Sequence, residues 1–217
     1  MCTGTLERAV RRLSRVHGPQ HWWPAGSPFE MAVGALLVQH TSWRNAELAL
    51  ENLRGATAFD AVSVGHLSIG NLEALVRPSG TFRVKARRLQ ALALWWACEF
   101  ESATAVPTRD LRATLRALHG IGPETADCVL LYAFSRPMFI ADAYARRWFY
   151  RMGLTKPDTT YAAVQHLGHA QLPDDIGLLQ EAHALIVVHN QRHCVARHPN
   201  CEDCTLSDTC ARVGLAV

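Results

Sequence analysis

The sequence predicts an all-α protein with short loops, and three observations carry the prediction. Apolar residues recur at helical spacing in one segment after another. Glycine or proline punctuates between the segments, at Gly55, Gly70, Pro78, Gly80 and Pro107. Alternating apolar and polar runs, the mark of half-buried strands, are few, and there are no repeats or low-complexity stretches.

The elements follow in order. Thr5–His17 reads as an amphipathic helix rich in arginine. "HWWPAGSP", His21–Pro28, is a turn-rich connector. Ser27 can cap the next helix, with Pro28 in its first turn and Glu30 three residues beyond the cap. That helix contains "MAVGALLV", Met31–Val38, the longest apolar run. It falls well short of the ~18 residues a membrane span needs, so it is read as a buried helix. Helical periodicity resumes in Ala46–Leu53, Leu67–Val76, Lys85–Phe100 and Leu111–Leu118. Around Lys85, "RVKARR" reads as core on one side and solvated on the other. "RDLRATLRAL" is a helix, "HGIG" a tight turn, and "PETADCVLLYAF" a second helix opened by proline. "AYARRWFYRM" is a helix begun by Asp142, and Lys156 lies in a surface loop, "GLTKPD".

The chain has 217 residues, 49% of them hydrophobic, which is enough to bury a core in one or two domains and excludes a disordered chain. The N-terminus carries no basic-then-apolar signal pattern, so a cytoplasmic protein, nucleoid-associated if bacterial, is expected; a monomer is expected as well. Net charge is +3 but uneven: Arg77–Arg151 holds twelve Lys or Arg against six Asp or Glu. Such a middle suits a polyanion partner, and equally a solvated helix face. Only Lys85 and Lys156 are lysines.

Of seven cysteines, Cys2, Cys98 and Cys128 are scattered, Cys128 in an apolar helix where it reads as a small core residue. Cys194, Cys201, Cys204 and Cys210 form C-x6-C-x2-C-x5-C. In an intracellular chain such clustering points to metal rather than disulfides. Zinc bound by four cysteines usually uses two CxxC pairs, and here there is one. The longer outer spacings suit a cubane iron–sulfur cluster, each iron taking one thiolate. Spacing alone leaves iron–sulfur, zinc and free thiols open.

The turn "HGIG" admits two readings as well. Gly120 and Gly122 would let a ligand approach the backbone without a Cβ in the way, and Ile121 would point inward. Turn N–H groups and the dipole of the following helix would then face a nucleic-acid phosphate. The other reading is an ordinary corner between helices. Asp142, between "MFIA" and a helix, is placed as an N-cap.

Together the hairpin, "IADAYARR" and the four-cysteine loop resemble the endonuclease III branch of the helix-hairpin-helix DNA glycosylases. "GALLVQHT" resembles that branch's early buried helix leading to a glutamine that enters the duplex, here Gln39 followed by His40. "PSGTFRVKARRL" resembles a third block ahead of the hairpin. The resemblance covers nearly the whole chain. It implies two helical domains flanking a DNA-binding cleft: a six-helix bundle over residues 27–136, and a cluster domain joining 1–26 to 137–217. It implies a [4Fe-4S] cluster on Cys194, Cys201, Cys204 and Cys210, and a hairpin Gly120–Ile121–Gly122 on double-stranded DNA with a damaged base or abasic site. Asp142 becomes the catalytic carboxylate, a role compatible with capping.

One departure stands out. In bifunctional members the position two beyond the second hairpin glycine is a lysine whose amine forms a Schiff base; here it is Glu124, and a carboxylate cannot form an imine. Glutamate there resembles a monofunctional sub-branch typified by 3-methyladenine DNA glycosylase III. "HWWP" and "QHTSW" resemble its pocket motifs, which implies that Trp23 and Trp43 clasp an extruded purine. The alternative for Trp22 and Trp23 is a hydrophobic plug. The expected function is a base excision repair glycosylase, monofunctional, acting on alkylated purines. Two alternatives remain: a glycosylase with lyase activity on oxidised pyrimidines, against which Glu124 argues, and a lesion or abasic-site binder with little turnover, against which Asp142 argues.

Overall fold

The structure, a computed structural model, describes residues 4–215; Cys2 lies outside the described residues. Its helices are α1 (Thr5–His17), α2 (Pro28–Leu37), α3 (Trp43–Ala56), α4 (Ala61–Gly65), α5 (Ile69–Leu75), α6 (Phe82–Ala103), α7 (Thr108–Ala117), α8 (Pro123–Tyr132), α9 (Ala143–Arg151), α10 (Tyr161–Gln171) and α11 (Ile176–Arg192). A 3-10 turn, Arg77–Ser79, joins α5 to α6, and no strand occurs among the described residues. The all-α expectation is met. None of these helices is long and apolar enough to cross a membrane.

Short polar side chains explain where most helices begin. Ser27, Ser42, Asp60, Ser68, Asp142, Thr160 and Asp175 each accept a backbone N–H three residues on, satisfying a donor the first turn leaves orphaned. At Ser27 the partner is Glu30 N at 3.1 Å, and Glu30 Oε2 reaches back to Gly26 N at 3.2 Å. α4 was not expected from the sequence. Five residues are too few to display a period, and only its cap, Asp60 on Ser63 N at 2.8 Å, announces it.

The chain divides into two compact units, Trp23–Arg136 and Met1–Trp22 with Pro137–Val217. In the first, α2 is the central element. Every residue from Phe29 to Leu37 is buried, with α3, α6 and α8 packed around it. A helix this apolar all round has no face to offer water. In the second unit α11 takes that part, buried continuously from Ala182 to Asn190 and packed by α1 and α9.

Lys85 departs from the simple reading of its helix. It is 1% exposed, while its neighbour Val84 is 42% exposed. Its Nζ donates to the carbonyls of Leu37 at 2.8 Å and Ser79 at 2.6 Å. Leu37 is the last residue of α2, so the ammonium sits where the helix dipole is negative. Burial, and next the nearby Arg88 charge, lower its pKa to about 8.

Candidate active site and cysteine centre

The hairpin comprises α7, the turn Leu118–Gly122, and α8. Ile121 N bonds back to Leu118 O at 3.1 Å, and Ile121 is buried. Its two glycines are there for different reasons. Gly120 has φ +86, and a Cβ on it would stand 2.1 Å from Arg88 Nε. Both the backbone and the neighbouring guanidinium therefore demand glycine. Gly122 has φ −81, ordinary extended backbone, and a Cβ on it would meet nothing of the protein. α7 and α8 are braced by Arg112, which holds Asp127 through two bonds, Nε–Oδ1 at 2.6 Å and Nη2–Oδ2 at 2.9 Å. Asp127 is fully buried. Glu124 stands exposed in the first turn of α8.

Gln39 is turned onto the hairpin. Its Nε2 donates to Gly120 O at 3.1 Å and Thr125 Oγ1 at 2.9 Å, while its Oε1 accepts from Arg88 Nη1 at 3.2 Å. Arg88 is donor-only, so it sets which way the amide faces. The Gly120 carbonyl is thereby occupied from within. To enter a duplex, Gln39 would have to leave these partners. His40, exposed at φ 55, ends the turn after α2.

Trp23 and Trp43 come together with a third ring that sequence reasoning did not pick out, Tyr132. Trp23 meets Trp43 edge to face, 5.4 Å between centroids at 83°, and Tyr132 at 5.6 Å and 63°. All three are half-buried. Gly34 makes room for the Trp23 indole, since a Cβ there would lie 3.1 Å from Nε1. Rings so arranged pack on one another rather than forming two parallel walls.

Asp142 caps α9. Its Oδ1 accepts from Ala145 N at 2.7 Å, and it is 7% exposed. His183 of α11 stands across from its other oxygen, Nε2 to Oδ2 at 3.8 Å.

The four clustered cysteines line one pocket that is partly open to solvent. Cys194 is buried and the other three are half-buried. Buried Arg151 laces the loop that carries the first of them. Its Nη1 donates to Cys194 O at 3.0 Å, Cys194 Sγ at 3.2 Å and Val195 O at 2.8 Å, and its Nη2 to Ala196 O at 3.0 Å. Arg147 Nε adds a bond to Cys194 O at 2.9 Å. Leu206 N points at Cys204 Sγ, 3.4 Å away. Burial pushes the Cys204 and Cys210 thiols up, and the neighbouring cysteines add to it. The donor set is thus four thiols around one cavity with N–H groups aimed at sulfur. Among the described residues no three His, Cys, Asp or Glu converge on one ion. Four thiols around one cavity are the kind of donor set that a cubane takes, one thiolate at each corner. Sequence reasoning passed over Arg151; an arginine on the inward face of "AYARRWFYRM" was the available signal.

The family model described as the HhH-GPD superfamily base excision DNA repair protein matches residues 33–173. A protein of Methanocaldococcus jannaschii assigned as a DNA repair glycosylase is 35% identical over 199 residues, covering 89% of this chain and 90% of its own length. Endonuclease III of Treponema pallidum is 30% identical, covering 90% and 87%. Among solved structures, endonuclease III trapped in a covalent DNA intermediate superposes with TM-score 0.82 at 22% identity over 98% of this chain and 97% of that one. The 3-methyladenine DNA glycosylase of H. pylori, bound to 1,N6-ethenoadenine, gives 0.73 at 24% over 86% and 96%. At these identities the last two likenesses are of fold.

Proposed function

Because the chain belongs to the HhH-GPD superfamily of base excision DNA repair proteins, we propose that this DNA glycosylase is monofunctional, releasing damaged, preferentially alkylated, purines from duplex DNA by hydrolysis. The observation that carries the monofunctional reading is the placement of its lysines. The chain has two lysines. Lys85 is 1% exposed with its Nζ bonded to two carbonyls. A pKa near 8 would suit an imine-forming amine, but burial denies it a sugar carbon. Lys156 is in the exposed loop between α9 and α10. The first turn of α8, where a bifunctional relative carries its nucleophile, holds Glu124.

The remaining groups divide the work. The outward N–H groups of the hairpin and the N-terminus of α8 receive a DNA phosphate, a contact that positions without reading sequence. The open space at Gly122 suits close approach of that phosphate. The Trp23, Trp43 and Tyr132 rings part to admit an extruded base, and an indole face favours the positive charge of an N-alkylated purine. As the C1′–N bond breaks, its electron pair leaves with the base and positive charge builds on the sugar. The Asp142 carboxylate stabilises that charge and orients the water whose oxygen bonds to C1′ and whose proton passes to the carboxylate or to bulk water. Cys194, Cys201, Cys204 and Cys210 would hold a [4Fe-4S] cluster, which supplies a covalent cross-link of the C-terminal loop.

Borohydride treatment of the chain with abasic duplex DNA tests the reading. No covalent complex is expected, and strands should break only after alkali. Glu124→Lys should gain trapping. Strong trapping by the unmodified chain would defeat the monofunctional assignment. Purified protein should absorb broadly near ~400 nm with about four irons per chain; stoichiometric zinc in a colourless preparation would contradict the cluster.

A further inference from the structure

The N-cap bond engages only one oxygen of Asp142. Oδ1 accepts from Ala145 N at 2.7 Å, an arrangement that any capping aspartate shares. Oδ2 faces His183 Nε2 at 3.8 Å. Both residues are 7% exposed, so the pair lies largely out of water. His183 also departs from its surroundings. It interrupts a run of buried aliphatic residues in α11, between Ala182 and Ala184 with Leu185 and Ile186 following. The Trp22 ring stands near its imidazole, 6.2 Å between centroids at 57°. A titratable ring at such a place has a desolvation cost, which an anionic partner offsets.

We propose that His183 is a positioning residue for Asp142, donating from Nε2 to Oδ2 so that the carboxylate is gripped at both oxygens. The inference rests on the reading of Asp142 as the working carboxylate. A carboxylate held by one oxygen can still swing about its Cβ–Cγ bond. Held by Ala145 N–H on one side and the imidazole N–H on the other, its plane is set. An ionised carboxylate has about four lone-pair sites. Two are then committed to the protein and the others are left for the sugar and the attacking water. A separation of 3.8 Å is longer than a hydrogen bond, but bonds of this kind commonly tighten only when substrate arrives. The donor must be the Nε2–H tautomer or the imidazolium, since the opposite neutral tautomer would point a lone pair at Oδ2.

The test compares full-length unmodified protein, Asp142→Asn, His183→Leu and His183→Gln. Single-turnover release of methylated purines from dimethyl-sulfate-treated duplex DNA is measured beside affinity for a duplex with a tetrahydrofuran abasic analogue. His183→Leu should slow release by on the order of ten- to a hundredfold, the usual cost of losing a group that orients a working side chain. Its affinity for the abasic analogue should stay within about twofold, which also shows that the variant is folded. His183→Gln keeps an N–H donor at similar reach and should recover most of the rate. If Asp142→Asn abolishes release while both His183 variants match the unmodified chain, the positioning role is overturned and the function stands. If both His183 variants lose rate and affinity equally, His183 is a packing residue and the inference again fails. If Asp142→Asn releases base normally, or the unmodified chain releases none, the functional reading itself falls and takes the inference with it.

Discussion

The two units solve the problem of building a site by opposite means. In Trp23–Arg136 the hairpin presents backbone: two glycines, a turn, a helix start, and side chains used from behind as struts. Arg112 and Asp127 tie its helices, and Gln39 holds the Gly120 carbonyl inward. In the other unit the groups proposed to act are side chains on loops and caps: Asp142 at the start of α9, and four cysteines whose first loop hangs on Arg151. Backbone groups are held by secondary structure, so a hairpin folds from local sequence. A thiol such as Cys194 is held by Arg151, 43 positions away in the chain.

Five changes sharpen that contrast, taken from the largest effect to the smallest. Asp142→Asn keeps a capping oxygen but removes the charge. Base release should fall by two or more orders of magnitude while DNA affinity is kept or rises, separating chemistry in one unit from grip in the other. Undiminished excision would refute the division of labour. Asp127→Ala leaves Arg112 without its bidentate partner in a largely buried site and should cost about 3 kcal/mol. Thermal unfolding would show it in the Trp23–Arg136 unit.

The hairpin glycines should respond differently. Gly120→Ala forces a left-handed residue and displaces Arg88, costing at least about 1 kcal/mol of stability. Gly122→Ala meets no protein atom and should change stability by less than about 0.5 kcal/mol, yet weaken DNA binding about tenfold because the methyl stands where a phosphate approaches. Equal loss of stability in the two variants would erase the distinction.

Up to pH 8 Lys85 gives the smallest effect. Its folded pKa of about 8 lies below the ordinary lysine value, so between those two pH values the unfolded chain binds a proton the folded chain has released. Stability contributed through Lys85 should therefore rise with pH from about 8 toward 10, by at most about 1.4 kcal/mol per pH unit. Comparing pH–stability curves of the unmodified chain and Lys85→Met isolates the slope, which should be absent from the difference if Lys85 is not its source.

Helix positions and several caps were readable in the sequence because they are local. Apolar spacing marks a helix within a dozen residues, and Ser27 and Asp142 signal starts within three. The glycine hairpin and the four cysteines were equally readable, since each is a short pattern. α4 escaped because five residues carry no period, and the individual helices α10 and α11 were not placed from the sequence. The Trp23 and Trp43 pair was legible as residue types, but its edge-to-face arrangement and the addition of Tyr132 were not.

What the tertiary structure alone decided is where polar atoms find partners. Sequence determined that "RVKARR" is helical with one buried side; only folding decided that Lys85, not Val84, turns inward, because the Leu37 and Ser79 carbonyls wait there. Likewise Gln39 meets Gly120 across 81 positions of chain, and Arg151 meets Cys194 across 43. Asp142 and His183 lie on different helices and face one another only once α9 packs on α11. Periodicity reports which side of a helix avoids water, a property summed over many residues. A hydrogen bond depends on one donor reaching one acceptor to within a few tenths of an ångström, and no local pattern encodes that distance.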